Sequence, residues 1–271
     1  MIMPSFEIPE KIKNKVHDVQ NSIKVEDVIA LAIKTPGVKI NRTDYLTKEL
    51  SIRYPKEIVS KAINYNPAYA GISREDVDHI ATQAIKYETN KVSAISFAAG
   101  LPGGFAMAAT IPVDLAQYFG FILRIMQKLA YLYGFDELDL HEDSINDETM
   151  NRIILFLGVM FGVQEANAAI KVFANLVAKA IAQRLPKMAL TKGIIYPAVK
   201  KIALFLSVHM TKQIFAKGVS KIMPVIGGAA SGALTYITFK PNALSLKKQF
   251  ETLPLSDPET YRKDKQQVID V

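Results

Sequence analysis

The sequence predicts an all-α protein, a multi-helix globular bundle with a central apolar helical hairpin. Three observations support this fold class. Apolar residues recur at helical spacing along most of the 271 residues. Residues that cap helices precede several of these runs, and strand-like alternation is confined to a few residues near 235–238. Apolar residues make up 49% of the chain, which is enough for a full core at this length.

The N-terminal part of the chain, residues 1–90, is predicted to form a series of helices. The first apolar run ends at Pro36 and Gly37. Asn41 is a good N-cap for the next helix, and Pro55 begins another. Ser73, followed by two acidic residues, begins a longer helix whose apolar positions share one face.

The centre of the chain, residues 92–113, contains 22 residues without a charge. Gly and Pro interrupt it at 100–104, so we expect two helices folded back as a hairpin and not one straight span. The second of these helices is predicted to begin at Thr110 or Pro112 and to end at Gly134. Burial in the core is the favoured interpretation, and insertion into lipid or a true span are the alternatives.

Further helices are predicted in the second half of the chain. Ser144, with two acidic residues behind it, begins a long helical pattern that runs to Arg184. Another helix is predicted over 197–217. The uncharged segment 222–239 follows and is predicted to end at Pro241.

These patterns suggest one domain and a tail. Residues 1–250 form a single helical domain in this interpretation. Its helical N-terminal part covers 1–90, and the apolar hairpin with the basic helical part covers 91–250. Residues 251–271 have loop composition and are predicted to form a polar C-terminal tail.

Charge is strongly segregated along the chain, whose formal net charge is +7. The 85 residues from Ala166 to Phe250 contain no Asp or Glu but thirteen Lys or Arg, whereas seven acids cluster between Asp136 and Glu148. A long basic and apolar half suits an anionic lipid surface. Pairing of the bases with the acidic segment is the alternative. Nucleic acid is not expected as a partner, because no binding motif is present.

Five lysines in the basic half are the candidates for contact with lipid headgroups. These membrane-surface candidates are Lys200, Lys201, Lys212, Lys217 and Lys221.

The N-terminus has no apolar core that would serve as a signal peptide, so we expect a cytoplasmic protein at the inner face of the cell membrane.

The sequence contains no motif that identifies a reaction. Cys is absent, which excludes disulfides, thiolate metal sites and Cys nucleophiles. The four histidines lie far apart and lack ligand spacing, and there is no phosphate-binding loop or nucleophile elbow. We therefore expect no metal, no cofactor and no enzymatic activity.

Asp114 is the residue with the strictest structural requirement, because it is a carboxylate within an apolar run and needs a partner there. A buried charge must be paired or must shift its pKa, so we expect a basic partner from another helix. A structural ion pair is the favoured role for Asp114. A catalytic or ligand-binding acid is the alternative.

Five motifs follow one another along the chain. They are Ile40-Asn41-Arg42, Pro67-Ala68-Tyr69-Ala70-Gly71-Ile72, Ser96-Phe97-Ala98-Ala99-Gly100-Leu101-Pro102-Gly103-Gly104, Ile111-Pro112-Val113-Asp114 and Gln127-Lys128-Leu129-Ala130-Tyr131-Leu132-Tyr133-Gly134-Phe135. In this order they resemble the EcsC family of bacterial proteins over roughly residues 25–250. The family's characteristic positions here are the Gly-Leu-Pro-Gly-Gly turn, Asp114 and the Tyr-Leu-Tyr-Gly-Phe helix end. The resemblance implies a helical protein whose namesake is encoded beside an ABC transporter that affects secretion, and it implies no catalytic residues.

Two functions are consistent with these observations. The first is a noncatalytic peripheral membrane-associated accessory protein that serves an ABC transporter or an envelope or secretion process. The second is a soluble carrier of a lipid or other apolar ligand, because small residues beside apolar runs leave space between helices. The structural or ligand-binding candidates are Gly100, Pro102, Gly103, Gly104 and Asp114.

Overall fold

The computed structural model describes residues 24–99, 107–140, 145–184, 195–221 and 227–262. Within these ranges the side chains of 95–99, 107–115, 209–221 and 227–235 lie outside the description. The described residues are helical with short connections and contain no β-strand. The all-α prediction is confirmed.

Ten α-helices and one 3₁₀ turn account for most of the described residues, and the turn, Pro254–Ser256, follows the last helix. The helices are α1 (Val25–Ile33), α2 (Arg42–Leu50), α3 (Lys56–Asn64), α4 (Pro67–Ala70), α5 (Arg74–Ala99), α6 (Met107–Leu132), α7 (Asp147–Met160), α8 (Gln164–Ala182), α9 (Tyr196–Lys221) and α10 (Gly227–Glu251).

Side-chain caps explain where several helices begin. The Asn41 side chain accepts a hydrogen bond from the backbone N–H of Asp44 at 2.8 Å, and Ser73 Oγ accepts one from the N–H of Asp76 at 3.1 Å. Both caps satisfy a backbone donor that the first turn of a helix leaves without an intrahelical partner. The predicted starts at Asn41 and Ser73 are therefore confirmed.

Three predicted helix boundaries were wrong. α6 begins at Met107, before Thr110, and includes Pro112. The long run to Arg184 is two helices, because Gly162 adopts a left-handed φ of +75° and ends the first of them. α10 continues through Pro241 to Glu251. Its apolar positions on both sides of this proline are buried in the same core, and that packing outweighs the hydrogen bond that proline cannot make.

α5, α6 and α10 lie side by side at the centre of the bundle. Arg124 of α6 donates to Glu88 of α5 at 3.1 Å, and Lys91 of α5 lies over the ring of Phe121 of α6. Residue numbers run in opposite directions in these two contacts, so α5 and α6 are antiparallel. Tyr118 of α6 lies 3.4 Å from Thr238 of α10, and Tyr133, directly after α6, donates a hydrogen bond to Glu251 of α10 at 3.2 Å. Residue numbers rise together in these two contacts, so α6 and α10 are parallel. The turn of the predicted hairpin, 100–106, lies outside the described residues.

An aromatic cluster joins the remaining helices to this centre. The ring of Phe135 lies 4.9 Å from that of Phe156, 5.8 Å from that of Phe173 and 5.0 Å from that of Phe250, measured between centroids. Phe156, Phe173 and Phe250 belong to α7, α8 and α10, and Phe135 follows Gly134 in the turn at the end of α6. Aromatic pairs at such distances contribute favourable energy beyond the burial of their area.

The segment after α10 packs onto the bundle. Leu253, Leu255 and Tyr261 are buried. Asn66, at the start of α4, donates from Nδ2 to the carbonyl of Leu255 at 3.2 Å and lies 2.9 Å from the hydroxyl of Tyr261. The first part of the predicted polar tail is therefore attached to the domain near Gly134.

Candidate membrane-binding surface

α9 carries apolar side chains on two opposite sides. Its inner side, Val199, Ile202 and Leu206, is buried against the bundle. On its outer side Leu204 is 69% exposed and Val208 is 51% exposed. A helix on the surface of a globular protein normally has a polar outer side, so this exposed apolar pair one turn apart makes the outer side of α9 a candidate binding surface.

Two exposed lysines precede this apolar pair. Lys200 and Lys201 lie one turn before Leu204 and are exposed. Lys200 Nζ is 4.9 Å from the centroid of the Tyr196 ring, a cation–π contact that orients the ammonium group beside an exposed aromatic ring. We call Tyr196, Lys200, Lys201, Leu204 and Val208 the α9 surface.

The inner side of α9 holds this surface in place. A Cβ atom on Gly158 of α7 would lie 2.6 Å from Ile202 Cγ2, so α7 and α9 approach each other closely because residue 158 has no side chain. Ser207 Oγ accepts a hydrogen bond from the backbone N–H of Val25 at 3.1 Å, which attaches α1 to the same helix. The α9 surface is thus presented by a helix that is packed along its opposite side.

The other site residues predicted from the sequence are located only in part. Lys212, Lys217 and Lys221 lie on the later turns of α9, and Asp114 lies on α6, but their side chains are outside the description. The basic partner of Asp114 therefore stays a prediction. The turn residues Gly100, Pro102, Gly103 and Gly104 also lie outside the described residues.

The bases of α6 have a partner that sequence reasoning missed. Glu88 of α5 is fully buried, and its carboxylate accepts hydrogen bonds from Arg124 at 3.1 Å and from Lys128 at 2.7 Å. Burial alone raises the pKa of Glu88, but these two hydrogen bonds outweigh it and hold the pKa below its ordinary value. The sequence did contain a signal for such an acid, because Arg124 and Lys128 lie four residues apart on one side of a largely apolar helix and need a counter-charge.

Two contacts of the acidic segment involve bases that precede the acid-free half of the chain. Glu137 accepts a hydrogen bond from the backbone N–H of Arg42 at 3.1 Å, and Arg152 donates to the carbonyl of Asp136 at 3.1 Å. Burial lowers the pKa of the Arg42 guanidinium, and the nearby charges of Asp136 and Glu137 oppose that effect. The acids of this segment thus help to neutralise Arg42, which is buried, and Arg152, which is partly buried.

Two surface cavities have linings in which charged and apolar residues are mixed. One of about 590 Å³ includes Arg74, His79 and Asp78. One of about 510 Å³ includes Lys179 and Asp257. Both differ from the apolar cavity that a lipid carrier needs. Among the described residues, no group of His, Asp and Glu is arranged to hold a metal ion.

A helix that spans the membrane was one alternative for the central uncharged segment. No helix in the described part of the chain combines the length and the apolar character needed to cross a bilayer.

Comparisons with family models, curated proteins and solved structures give no match to this chain. The resemblance to the EcsC family stays a prediction.

Proposed function

We propose that the protein is a noncatalytic peripheral protein that binds an anionic membrane through the α9 surface. The observation that carries the proposal is the exposed pair Leu204 and Val208 directly beside the exposed bases Lys200 and Lys201. Apolar side chains enter the boundary between headgroups and acyl chains, and lysines one turn away contact lipid phosphates. A nucleic acid would use the bases but would gain nothing from the exposed aliphatic pair.

The size of this surface predicts weak and reversible binding. Each lysine near an anionic membrane contributes about 1 kcal/mol. Burial of the exposed parts of Leu204 and Val208 contributes roughly 2–3 kcal/mol together. The sum, roughly 4–5 kcal/mol, corresponds to a dissociation constant near the millimolar range. The three further lysines on α9 strengthen the attraction where they also reach the lipid surface.

The α9 surface and the family resemblance support a proposed location and partner. The protein would lie at the inner face of the cell membrane, where anionic lipids give the surface a negative potential. There it would act as an accessory protein of an ABC transporter or of an envelope or secretion process. The resemblance to the EcsC family supports that assignment, and the α9 surface supplies the means of attachment.

Cosedimentation with lipid vesicles tests the proposal. We expect binding to vesicles of phosphatidylserine and phosphatidylcholine, little binding to phosphatidylcholine alone, and weaker binding at high salt. Changing Lys200, Lys201, Lys212, Lys217 and Lys221 to Gln should reduce binding at least tenfold, since five bases contribute roughly 5 kcal/mol at most. Unchanged binding of that variant would overturn the proposal.

Matched controls separate the α9 surface from general surface properties. Lys48 and Lys56 are exposed on α2 and α3, so changing both to Gln removes the same charge as the Lys200/Lys201 double change. Ile52 is 76% exposed and is the control for Leu204→Gln. The α9 changes should weaken vesicle binding, and the control changes should leave it within twofold of the unaltered protein.

A further inference from the structure

We propose that α10 repeats the membrane-binding pattern of α9 and that both helices lie along the membrane surface as one two-helix face. This inference rests on the proposed function and deepens it. The α9 surface is then one half of the binding surface, and side chains of α10 supply the other half. The partner remains an anionic lipid surface, which is contacted at two basic sites.

A short sequence pattern occurs on each helix, at positions 40 residues apart. Residues 196–206 read YPAVKKIALFL, and residues 236–246 read YITFKPNALSL. The two segments share Tyr, Lys, Ala, Leu and Leu at the same five positions. A sixth position is Val in the first segment and Phe in the second. The shared pattern is therefore Tyr-x-x-apolar-Lys-x-x-Ala-Leu-x-Leu.

The repeated residues have the same burial on both helices. The apolar position before the lysine and the last leucine are buried in each case, and these residues are Val199, Leu206, Phe239 and Leu246. The tyrosine and the first leucine are exposed. Tyr196 and Tyr236 are 45% and 42% exposed, and Leu204 and Leu244 are also exposed on their helices. A pattern needed only for packing would repeat the buried positions alone, whereas this one also repeats an exposed aromatic and an exposed aliphatic residue.

The tyrosine and lysine of the pattern form the same contact on both helices. Lys200 Nζ lies 4.9 Å from the centroid of the Tyr196 ring, and Lys240 Nζ lies 5.3 Å from that of the Tyr236 ring. Lys240 also donates a hydrogen bond to the Tyr236 hydroxyl at 3.2 Å. Each ammonium group is thus held beside an exposed ring. Tyrosine is enriched at membrane–water interfaces, so this pairing suits contact with lipid headgroups.

Two further side chains extend the pattern on α10. Ile237 is 66% exposed, and Lys248, one turn after Leu244, is also exposed. The outer side of α10 therefore combines apolar and basic side chains, as the outer side of α9 does. We call Tyr236, Ile237, Lys240, Leu244 and Lys248 the α10 surface.

α9 and α10 are antiparallel neighbours that lie against each other. Ile202 lies against Gly158 of α7, and Ser245 Oγ is 3.4 Å from the carbonyl oxygen of the next α7 residue, so Ile202 and Ser245 share one level. Five residues join Lys221 to Gly227, and such a segment spans at most about 20 Å. In a parallel arrangement these two helix ends would lie about 55 Å apart. The helices therefore run in opposite directions.

The exposed sides of both helices point away from α7. Ile202 faces α7, and Leu204, two residues later, lies on the opposite side of α9 because a helix turns about 100° per residue. On α10, the Phe250 ring lies 5.3 Å from an aromatic ring of α7, and Leu246, one turn earlier, is buried on the same side. Leu244, two residues before Leu246, lies on the opposite side. Leu204 and Leu244 therefore face the same way.

The two leucines form the middle of the combined surface. Leu204 follows Ile202 and Leu244 precedes Ser245, so in antiparallel helices both are displaced in the same direction and differ in level by about 1.5 Å. Lys200 lies on one side of this level and Lys240 on the other, about 10 Å apart along the helix axes. The two tyrosine–lysine pairs thus occupy opposite ends of the surface and reach different lipids.

Charge favours an anionic lipid surface over a second copy of the chain as the occupant. The α9 and α10 surfaces contain lysines, and the sequence has no acid from Ala166 to Phe250. Two copies meeting through these surfaces would bring their lysines together, whereas anionic lipids neutralise them. Asp78 and Glu251 lie near the end of α10, and both are paired with Lys247.

Matched substitutions on the two helices test the inference. Lys240→Gln is the counterpart of Lys200→Gln, and Leu244→Gln is the counterpart of Leu204→Gln. Each lysine change should weaken binding to vesicles of phosphatidylserine and phosphatidylcholine about fivefold, and each leucine change about five- to tenfold. Each α10 change should match its α9 counterpart within about threefold.

Control substitutions remove the same groups elsewhere on the surface. Lys56→Gln removes an exposed base of α3, and Ile52→Gln removes an exposed aliphatic side chain after α2. Both should leave vesicle binding within about twofold of the unaltered protein. Circular dichroism should show unchanged helical content in every variant, since all the changed side chains lie at the surface.

Fluorescence from a single labelled position measures the orientation independently. The chain has no Cys, so an environment-sensitive dye can be attached at Leu204→Cys, at Leu244→Cys or at the control Ile52→Cys. With the same vesicles, the dyes at 204 and 244 should both shift to shorter wavelength. Lipids brominated near the top of their acyl chains should quench both to a similar extent. The dye at residue 52 should do neither.

Three other results would contradict the inference. If the α9 changes weaken binding while the α10 changes do not, and the dye at 244 remains in water, α9 binds alone and the proposed function stands. If the unaltered protein does not bind vesicles, the proposed function fails and the inference fails with it. If the α10 changes leave vesicle binding intact but reduce self-association in sedimentation without lipid, the α10 surface binds a second copy of the chain.

Discussion

Glu88 and Lys128 form a hydrogen-bonded ion pair inside the bundle, with Lys128 Nζ 2.7 Å from Glu88 Oε1. Arg124 donates to the same carboxylate and also to the carbonyl of Gly37. One buried acid therefore compensates two bases whose side chains are largely, but not fully, removed from water. This cluster joins α5 to α6 and to the loop after α1, so the packing of three elements depends on one carboxylate.

Removal of the Glu88 carboxylate should destabilise the protein strongly. Glu88→Ala leaves Arg124 and Lys128 without their buried counter-charge, which typically costs about 3–5 kcal/mol of unfolding free energy. Urea denaturation followed by circular dichroism measures the loss. Glu75→Ala, an exposed acid in the first turn of the same helix, should cost less than about 1 kcal/mol. Equal losses for the two variants would contradict a compensating role for Glu88.

The contribution of Glu88 should depend on pH in a defined direction. Its pKa is lowered in the folded state, so its contribution is fully present above its unfolded pKa, near 4.5, and is lost as pH falls through the folded pKa. The difference in unfolding free energy between the unaltered protein and Glu88→Gln should therefore be constant from about pH 5 to 7 and should shrink below about pH 4.5. A difference that grows on acidification would show that the sign is wrong.

Arg42 should not be replaceable by lysine. Its guanidinium donates to the carbonyls of Phe135 at 3.2 Å, Ile63 at 2.6 Å, Ala62 at 3.2 Å and Tyr65 at 3.3 Å, so it caps the end of α3 and fixes it to the α6 turn. A single ammonium group cannot reach all four oxygens. Arg42→Lys should cost about 2–4 kcal/mol in urea denaturation.

An arginine on the surface provides the control for this change. Arg53 pairs with Asp76 and is 44% exposed, and such pairs contribute about 0–1 kcal/mol. Arg53→Lys should therefore lower the unfolding free energy by less than about 1 kcal/mol. If Arg42→Lys is tolerated equally well, the four backbone contacts do not contribute as described.

Two glycines with the same backbone requirement distinguish strain from close packing. Gly71 and Gly134 both have left-handed φ values, +86° and +101°, but only Gly134 is crowded. A Cβ there would lie 2.8 Å from Asn66 Nδ2 and 3.1 Å from the Leu255 carbonyl oxygen, whereas Gly71 has no atom within 4 Å. Gly71→Ala should cost about 1–2 kcal/mol from φ alone. Gly134→Ala should cost roughly 1–3 kcal/mol more, from overpacking. Thermal unfolding by circular dichroism compares them.

Local rules predicted the parts of this fold that depend on neighbouring residues. The caps at Asn41 and Ser73 and the helix end at Gly134 each depend on a few consecutive residues, so their sequence signatures suffice. Pro241 was misjudged because the rule that proline ends a helix ignores the core. Phe239 and Phe250 are fully buried on either side of Pro241, and this burial is not visible from local sequence.

The candidate surface was also predicted only in part, because local sequence shows charge but not which side chains are exposed. Charge segregation was sufficient to select Lys200 and Lys201, and both are exposed. The exposure of Leu204 and Val208 was not predictable, because helical periodicity does not show which of two apolar sides faces the bundle. The partnership of Glu88 with Arg124 and Lys128 spans two helices, and a single sequence contains no information on that distance.

The attachment of residues 253–262 to Asn66 determines when the fold can be completed during synthesis. The Asn66 side chain, at the start of α4, contacts Leu255 and Tyr261, which lie 189 and 195 positions later. A ribosome adds these two residues many seconds after it has added Asn66, at about 5–20 residues per second. Until then the apolar site filled by Leu253, Leu255 and Tyr261 is open on the nascent chain. The N-terminal helices therefore cannot complete this packing until residues 253–261 have been synthesised, and a chain truncated before Leu253 would leave this apolar site exposed.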